Sequence, residues 1–145
     1  MGSTEAGLLG PPNEEKQTPP EKYGLDAMFA PGSVAVIGAT GRPSTVGRTV
    51  LENLLRGSYH GKVYAVNAKH QEVLGLKAYK SIRDIPQPVD LAVVDTPAVT
   101  VPQLTGECAD AGTRSAVVIS AGFKERGADG AALEHQIHCG AVPCA

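Results

Sequence analysis

The stretch Ser33–Arg48, SVAVIGATGRPSTVGR, constrains the chain more than any other. A compact apolar run, Val34-Ala35-Val36-Ile37, reads as a buried strand. It enters a loop that holds Gly38, Gly41 and Gly47, and the loop enters a segment with helical spacing. Such a loop leaves backbone N–H groups free, and the helix start adds the positive end of its dipole. Together they form a site for a phosphate. The chain is read on this ground as the holder of a phosphorylated cofactor.

The same rhythm continues downstream. Val46, Val50, Leu51, Leu54 and Leu55 recur at helical spacing, with Arg48, Glu52 and Arg56 on the other side and Gly57 as the stop. Further strands are expected at Val63–Val66, Leu91–Val94 and Val117–Ile119, with a shorter one at Leu76–Tyr79 and a helical turn at Ile82–Ile85. Val101, Leu104, Cys108 and Ala111 make a second helical stripe ending at Gly112, and a last helix is expected over Gly130–Ile137. Strands that are apolar throughout, alternating with amphipathic helices, imply a parallel sheet covered on both faces. The fold class is therefore α/β: a small, Rossmann-like, doubly wound parallel sheet in three α/β/α layers. Its ligand crevice belongs at the carboxyl ends of the strands.

Residues 1–22 are rich in Pro, Glu, Gly and Thr and read as a disordered leader. Leu25–Phe29 forms a short helical turn before Pro31. The ordered domain is expected over residues 23–138, followed by a tail at 139–145.

Composition removes several function classes. The formal charge of −2 and the absence of Trp argue against a nucleic-acid partner or an anionic membrane surface. No apolar run approaches the ~20 residues that cross a bilayer, and the start lacks the pattern of a secretory signal. Three cysteines, Cys108, Cys139 and Cys144, without a framework spacing, suggest reduced thiols in a cytoplasm. The spacing of His135, His138, Cys139 and Cys144 does not match common zinc patterns, so no metal is expected. His60 and His70 read as surface residues, and no nucleophile–base pair is evident.

The strand ends carry the candidate chemistry. In the first loop Thr40 stands where the dinucleotide fingerprint would have its second glycine, and the loop is longer before the helix. Gly38 supplies the tight turn, and Gly41 adds a further small residue to the loop. Gly47 lets the helix start approach a ligand or the sheet. Thr40 and Ser44 offer hydroxyls, Arg42 adds charge, and Val46 opens the helix. The plain alternative is that Ser44 and Thr45 merely cap the helix. At the second strand end, where NAD-binding folds place an acid for the ribose hydroxyls, stand Asn67 and Lys69. A lysine there attracts a phosphorylated ribose, which NADP and coenzyme A (CoA) both carry. Thr96-Pro97-Ala98 closes the third main strand and is placed by an adenine, or serves only as a helix-initiating turn. Ser120-Ala121-Gly122 permits close approach of a ligand at the last strand end.

Four stretches in this order resemble one family: LDAMFAPGSVAVIGATGRPSTVGRTVLENLL, VYAVNAKHQEVLGLKAYKSI, VDLAVVDTPA and AVVISAGFKE. It is the N-terminal CoA-binding domain of the NDP-forming acyl-CoA synthetases, which also opens the related bacterial protein lysine acetyltransferases. The resemblance covers residues 25–137. It implies CoA or acyl-CoA as cofactor, with the pyrophosphate on the Gly38–Gly47 loop and the nucleotide phosphates on Lys69. It implies adenine beside Thr96-Pro97-Ala98 and the pantetheine arm along Ser120-Ala121-Gly122. Ala68 departs from the family's Pro, and Asp95 stands where a small or apolar residue is common. The end, HCGAVPCA, departs from the family's Gly-Pro-Asn-Cys stretch and reads as truncated or altered. The family's phosphohistidine and ATP-grasp parts have no counterpart here, so binding without turnover is expected. The missing last strand would leave a sheet edge open to self-association or to ligase or acetyltransferase domains supplied elsewhere.

Two other readings stand beside this one. GATG resembles the loop of NADP-dependent short-chain reductases, although no Tyr-x-x-x-Lys pair follows the third strand. A non-catalytic CoA-responsive switch would use the leader and the open edge.

Overall fold

Burial on both faces makes β1 (Ser33–Ile37) the centre of the sheet, with all five of its residues buried. The other strands of the computed structural model are β2 (Lys62–Val66), β3 (Glu72–Val73), β4 (Leu76–Tyr79), β5 (Leu91–Val94) and β6 (Ser115–Val118). The helices are α1 (Leu25–Phe29), α2 (Val46–Arg56), α3 (Val101–Asp110) and α4 (Ala128–Ala141). The structure describes residues 25–141, with side chains as far as 137. The leader at 1–22, Cys144 and the side chains of His138 and Cys139 lie outside what is described.

The strand order is β3-β4-β2-β1-β5-β6. β1 pairs in parallel with β2 on one side and β5 on the other, and β4 and β6 extend the sheet in the same sense. The chain thus moves outward from β1 to β2, then returns across β1 to begin β5. Strand order reverses between β1 and β5, which opens a crevice at their carboxyl ends.

Alternation along β1 sends neighbouring side chains to opposite faces. Val36 joins Leu51 of α2, with Ala65, Val73 and Ala78, in one apolar cluster. Ala35 and Ile37 join Val94, Val101 and Cys108 in the other, under α3. α4 packs on α3, and α1 lies beside β6 with Ala27 buried. The three-layer expectation holds.

Four details differ from the sequence reading, the first being that β6 begins at Ser115 and ends at Val118 rather than spanning Val117–Ile119. The sheet is not wholly parallel, because β3 runs antiparallel to β4. The two strands are joined by Leu74 and Gly75, both at positive φ (50° and 81°), the geometry that two-residue hairpins favour. The α2 stripe is also narrower than expected: Val46 is 56% exposed and Leu55 42% exposed. The buried face runs through Gly47, Val50, Leu51 and Leu54, an i, i+3, i+4, i+7 set, so positions one residue outside it rotate away from the sheet. The last helix begins two residues before Gly130 and runs beyond Ile137.

Candidate functional site

The loop after β1 is braced by its own side chains. The Arg42 amide donates to Thr40 Oγ1 (3.2 Å), and Thr45 Oγ1 donates to the Arg42 carbonyl (2.9 Å). Arg48 donates to the Gly41 carbonyl and pairs with Glu52. Ser44 is exposed at φ 62°. Thr45 sits at the N-cap of α2, yet no side chain caps the helix. The capping alternative therefore fails: the Thr45 hydroxyl is turned back into the loop, and the first-turn amides of α2 are left to an outside acceptor. Thr40 uses a lone pair on Arg42 and keeps its O–H as a donor.

Gly38 and Gly47 bring this loop against the sheet. Gly38 has φ +89°, and a Cβ there would overlap the Asp95 carbonyl. A Cβ on Gly47 would lie 2.9 Å from Asp95 Oδ2 and 3.0 Å from the Gly38 carbonyl oxygen. The Asp95 carboxylate thus faces the first turn of α2, where the helix dipole favours negative charge.

At the end of β2 the Asn67 side chain is occupied within the protein. Its Nδ2 donates to the Ala39 carbonyl (2.7 Å), and its Oδ1 accepts from the amides of Lys69 (2.7 Å) and His70 (3.0 Å). Asn67 ties the β1 loop to the turn that presents Lys69. This positioning role was not legible in the residue's identity alone.

The β5 and β6 ends are coupled as well. The Thr96 amide donates to Ser120 Oγ (3.0 Å), and Gly122 lies against Ala98. Glu125 accepts from the amides of Gly122 (2.5 Å) and Phe123 (3.0 Å). These amide bonds, that from Gly122 first, hold the Glu125 carboxyl below the usual carboxylate range.

A cleft of about 530 Å³ opens at the carboxyl ends of β1, β2 and β5. Among the expected site residues, Gly38, Asn67, Lys69, Thr96 and Pro97 line it. Thr40, Gly41, Arg42, Ser44, Val46 and Gly47 sit on the loop and helix start that follow Gly38. Ala98, Ser120, Ala121 and Gly122 adjoin the cleft from the β6 side rather than lining it. The cleft adds Lys80, Thr100, Gln103 and Leu104, which the sequence reading missed. Lys80 directly follows β4, so the signal was a cation at a strand end, hidden because the place of β4 beside β2 was unknown. An uncapped helix start, a cleft at the strand-order reversal and lysines at its rim fit an anionic nucleotide cofactor.

These features define a doubly wound α/β domain with a cleft at its switch point that suits a phosphorylated cofactor. Residues 32–144 match the family described as CoA binding domain, and the chain belongs to that family. Coenzyme A is the cofactor that this membership assigns, and the reductase alternative is not favoured. The chain is 46% identical over 113 residues to ADP-forming acetate–CoA ligase I of Archaeoglobus fulgidus, covering 78% of this chain and 16% of that protein. It is 43% identical over 117 residues to the alpha subunit of ADP-forming acetate–CoA ligase I of Pyrococcus furiosus, covering 78% and 25%. Among solved structures, the dinucleotide-forming acetyl-coenzyme A synthetase 1 of Ca. Korarchaeum cryptofilum with phosphate and ADP superimposes with a TM-score of 0.75. It is 38% identical, over 82% of this chain and 26% of that one. The chain therefore spans between about a sixth and a quarter of the length of the curated relatives it matches. No helix among the described residues is long and apolar enough to cross a membrane.

Proposed function

We propose that CoA lies across the carboxyl ends of β1, β2 and β5, with its pyrophosphate on the Gly38–Gly47 loop. The observation that carries this reading is the uncapped start of α2. Amides of the first helical turn, the Thr40 hydroxyl and Arg42 supply the donors. Lys69, held by Asn67, attracts the phosphate on the ribose. Thr96-Pro97-Ala98 borders the adenine, and Ser120-Ala121-Gly122 guides the pantetheine arm. Asn67 acts through the loop and Lys69 rather than by touching the ligand.

In this reading the polypeptide is the CoA-binding part of an NDP-forming acyl-CoA synthetase working in the cytoplasm. The phosphohistidine and ATP-grasp parts come from elsewhere, and this stretch alone does not turn over. The relatives named above are ligases, which favours that parentage over an acetyltransferase. Partner domains meet it at the β6 edge, which no described strand covers.

Calorimetric titration tests the ligand. CoA should bind with one-to-one stoichiometry, and Lys69→Glu should weaken CoA severalfold while leaving dephospho-CoA little changed. No heat and no thermal stabilisation with millimolar CoA, alongside binding of NADPH, would overturn the reading.

A further inference from the structure

We propose that Lys80 is a second specificity-determining cation of this site and that Lys69 and Lys80 bracket the ribose phosphate of CoA from two adjacent strands. The inference rests on the CoA reading above and adds a residue to it.

Backbone geometry sets the two lysines at one end of the sheet. β2 and β4 run in parallel, with Val66 beside Tyr79. The Asn67 amide then donates to the Tyr79 carbonyl (2.9 Å), so Asn67 and Lys80 leave their strands at the same level. Lys69 follows two residues after Asn67, and its amide is fixed by the Asn67 side chain. Both lysines line the one cleft.

The charges of both are available. Among the described residues the ion pairs are Arg48–Glu52, Arg83–Asp110 and Arg114–Asp90, and neither Lys69 nor Lys80 takes part in one. The contrast with Lys77 on the same strand is instructive. Lys77 lies opposite Glu72 and has its ammonium 5.1 Å from the centroid of the Tyr79 ring. Lys80, just past the strand, has no such partner among the described residues. Two unpaired ammonium groups at one rim repel each other, and an anion bound between them reverses that cost.

Position selects which anion. In doubly wound folds the ribose of a nucleotide lies at the end of the second strand, here β2. Lys69 approaches that point from the β2 turn, and Lys80 approaches from β4, the neighbour on the outer side. The pyrophosphate lies on the other side, toward α2. Lys80 therefore reads the phosphate that distinguishes CoA from dephospho-CoA, and not the shared pyrophosphate.

The test is a titration of CoA and dephospho-CoA into the wild-type protein, Lys80→Gln and Lys80→Arg, with folding checked by thermal melts. Lys80 is exposed, so the variants should melt with the wild type. Lys80→Gln should weaken CoA by about fivefold, the upper end for an exposed ion pair. It should change dephospho-CoA less than about twofold, and Lys80→Arg should keep the wild-type preference. The gap between ligands should shrink as salt rises. If wild type binds CoA and Lys80→Gln leaves the preference intact, the Lys80 assignment is wrong while the CoA reading stands. If the wild type binds neither ligand, the CoA reading falls and takes this inference with it.

Discussion

Asn67 offers the sharpest separation between holding the site and touching the ligand. Its amide group makes three hydrogen bonds, to the Ala39 carbonyl and from the amides of Lys69 and His70. Each such bond contributes about 1 kcal/mol net. Asn67 is half-buried, so the freed Lys69 and His70 amides recover part of their loss from water. Asn67→Ala should therefore destabilise by about 2 kcal/mol, less than the simple total. For a chain of this length that is a fall of about 6 °C in Tm. Asn67→Asp keeps both accepted bonds but turns an oxygen toward the Ala39 carbonyl. It should cost about 1 kcal/mol and release the loop from the Lys69 turn. Urea unfolding gives the stabilities, and calorimetry gives CoA and dephospho-CoA affinities. Asn67→Ala should weaken both ligands through the loop, and CoA more than dephospho-CoA, because Lys69 loses its anchor as well. A variant with unchanged unfolding midpoint that still lost CoA would refute the positioning role and place the side chain on the ligand.

Three further outcomes are expected. Leu51→Ala empties the fully buried contact between α2 and the sheet and should cost about 3 kcal/mol in urea unfolding; a loss under about 1 kcal/mol would mean that α2 is not anchored there. Burial, aided by the Glu107 charge, pushes the Cys108 thiol up to about 11, so iodoacetamide at pH 8 should label the Cys108 peptide only after unfolding. Fast labelling of the native protein would contradict that packing. Glu125 has a lowered folded-state pKa from its amide bonds; its stabilisation is full above the unfolded value of about 4.3 and is lost as pH falls through the folded one. The Tm gap between wild type and Glu125→Gln should close on acidification below that range, and a gap that widened would reverse the assignment.

The sheet was legible because its strands are apolar on both faces. Val34–Ile37 and Leu91–Val94 admit no other placement than a central, covered position, and the structure puts them side by side. β3 was not legible. It has two residues, and its reversal uses Leu74 at φ 50°, where a reader looks for Asn or Asp. The exposed Val46 and Leu55 show a related limit: apolar identity enlarged a stripe whose true width is set by the 100° turn per residue. In the loop the sequence could not decide between capping and an open helix start. Thr45 has the right identity for a cap, and only the structure shows that its side chain accepts no first-turn amide.

The two ends of the cleft are built on different electrostatics. The end proposed for the ribose holds Lys69 and Lys80, with no acid paired to either among the described residues. The end proposed for the pyrophosphate would rely on backbone amides, the Thr40 hydroxyl and Arg42, and there Asp95 faces the α2 first turn. A carboxylate there is favourable without ligand, because it answers the positive end of the helix dipole. With a pyrophosphate in place the same carboxylate opposes it. In that reading Asp95 lowers the gain at the pyrophosphate, which every CoA-like nucleotide shares, while among the described residues no acid is paired to the lysines proposed for the ribose phosphate. In the proposed reading Asp95 weakens every ligand that carries the shared pyrophosphate by the same factor, so the ratio of CoA to dephospho-CoA is left to Lys69 and Lys80.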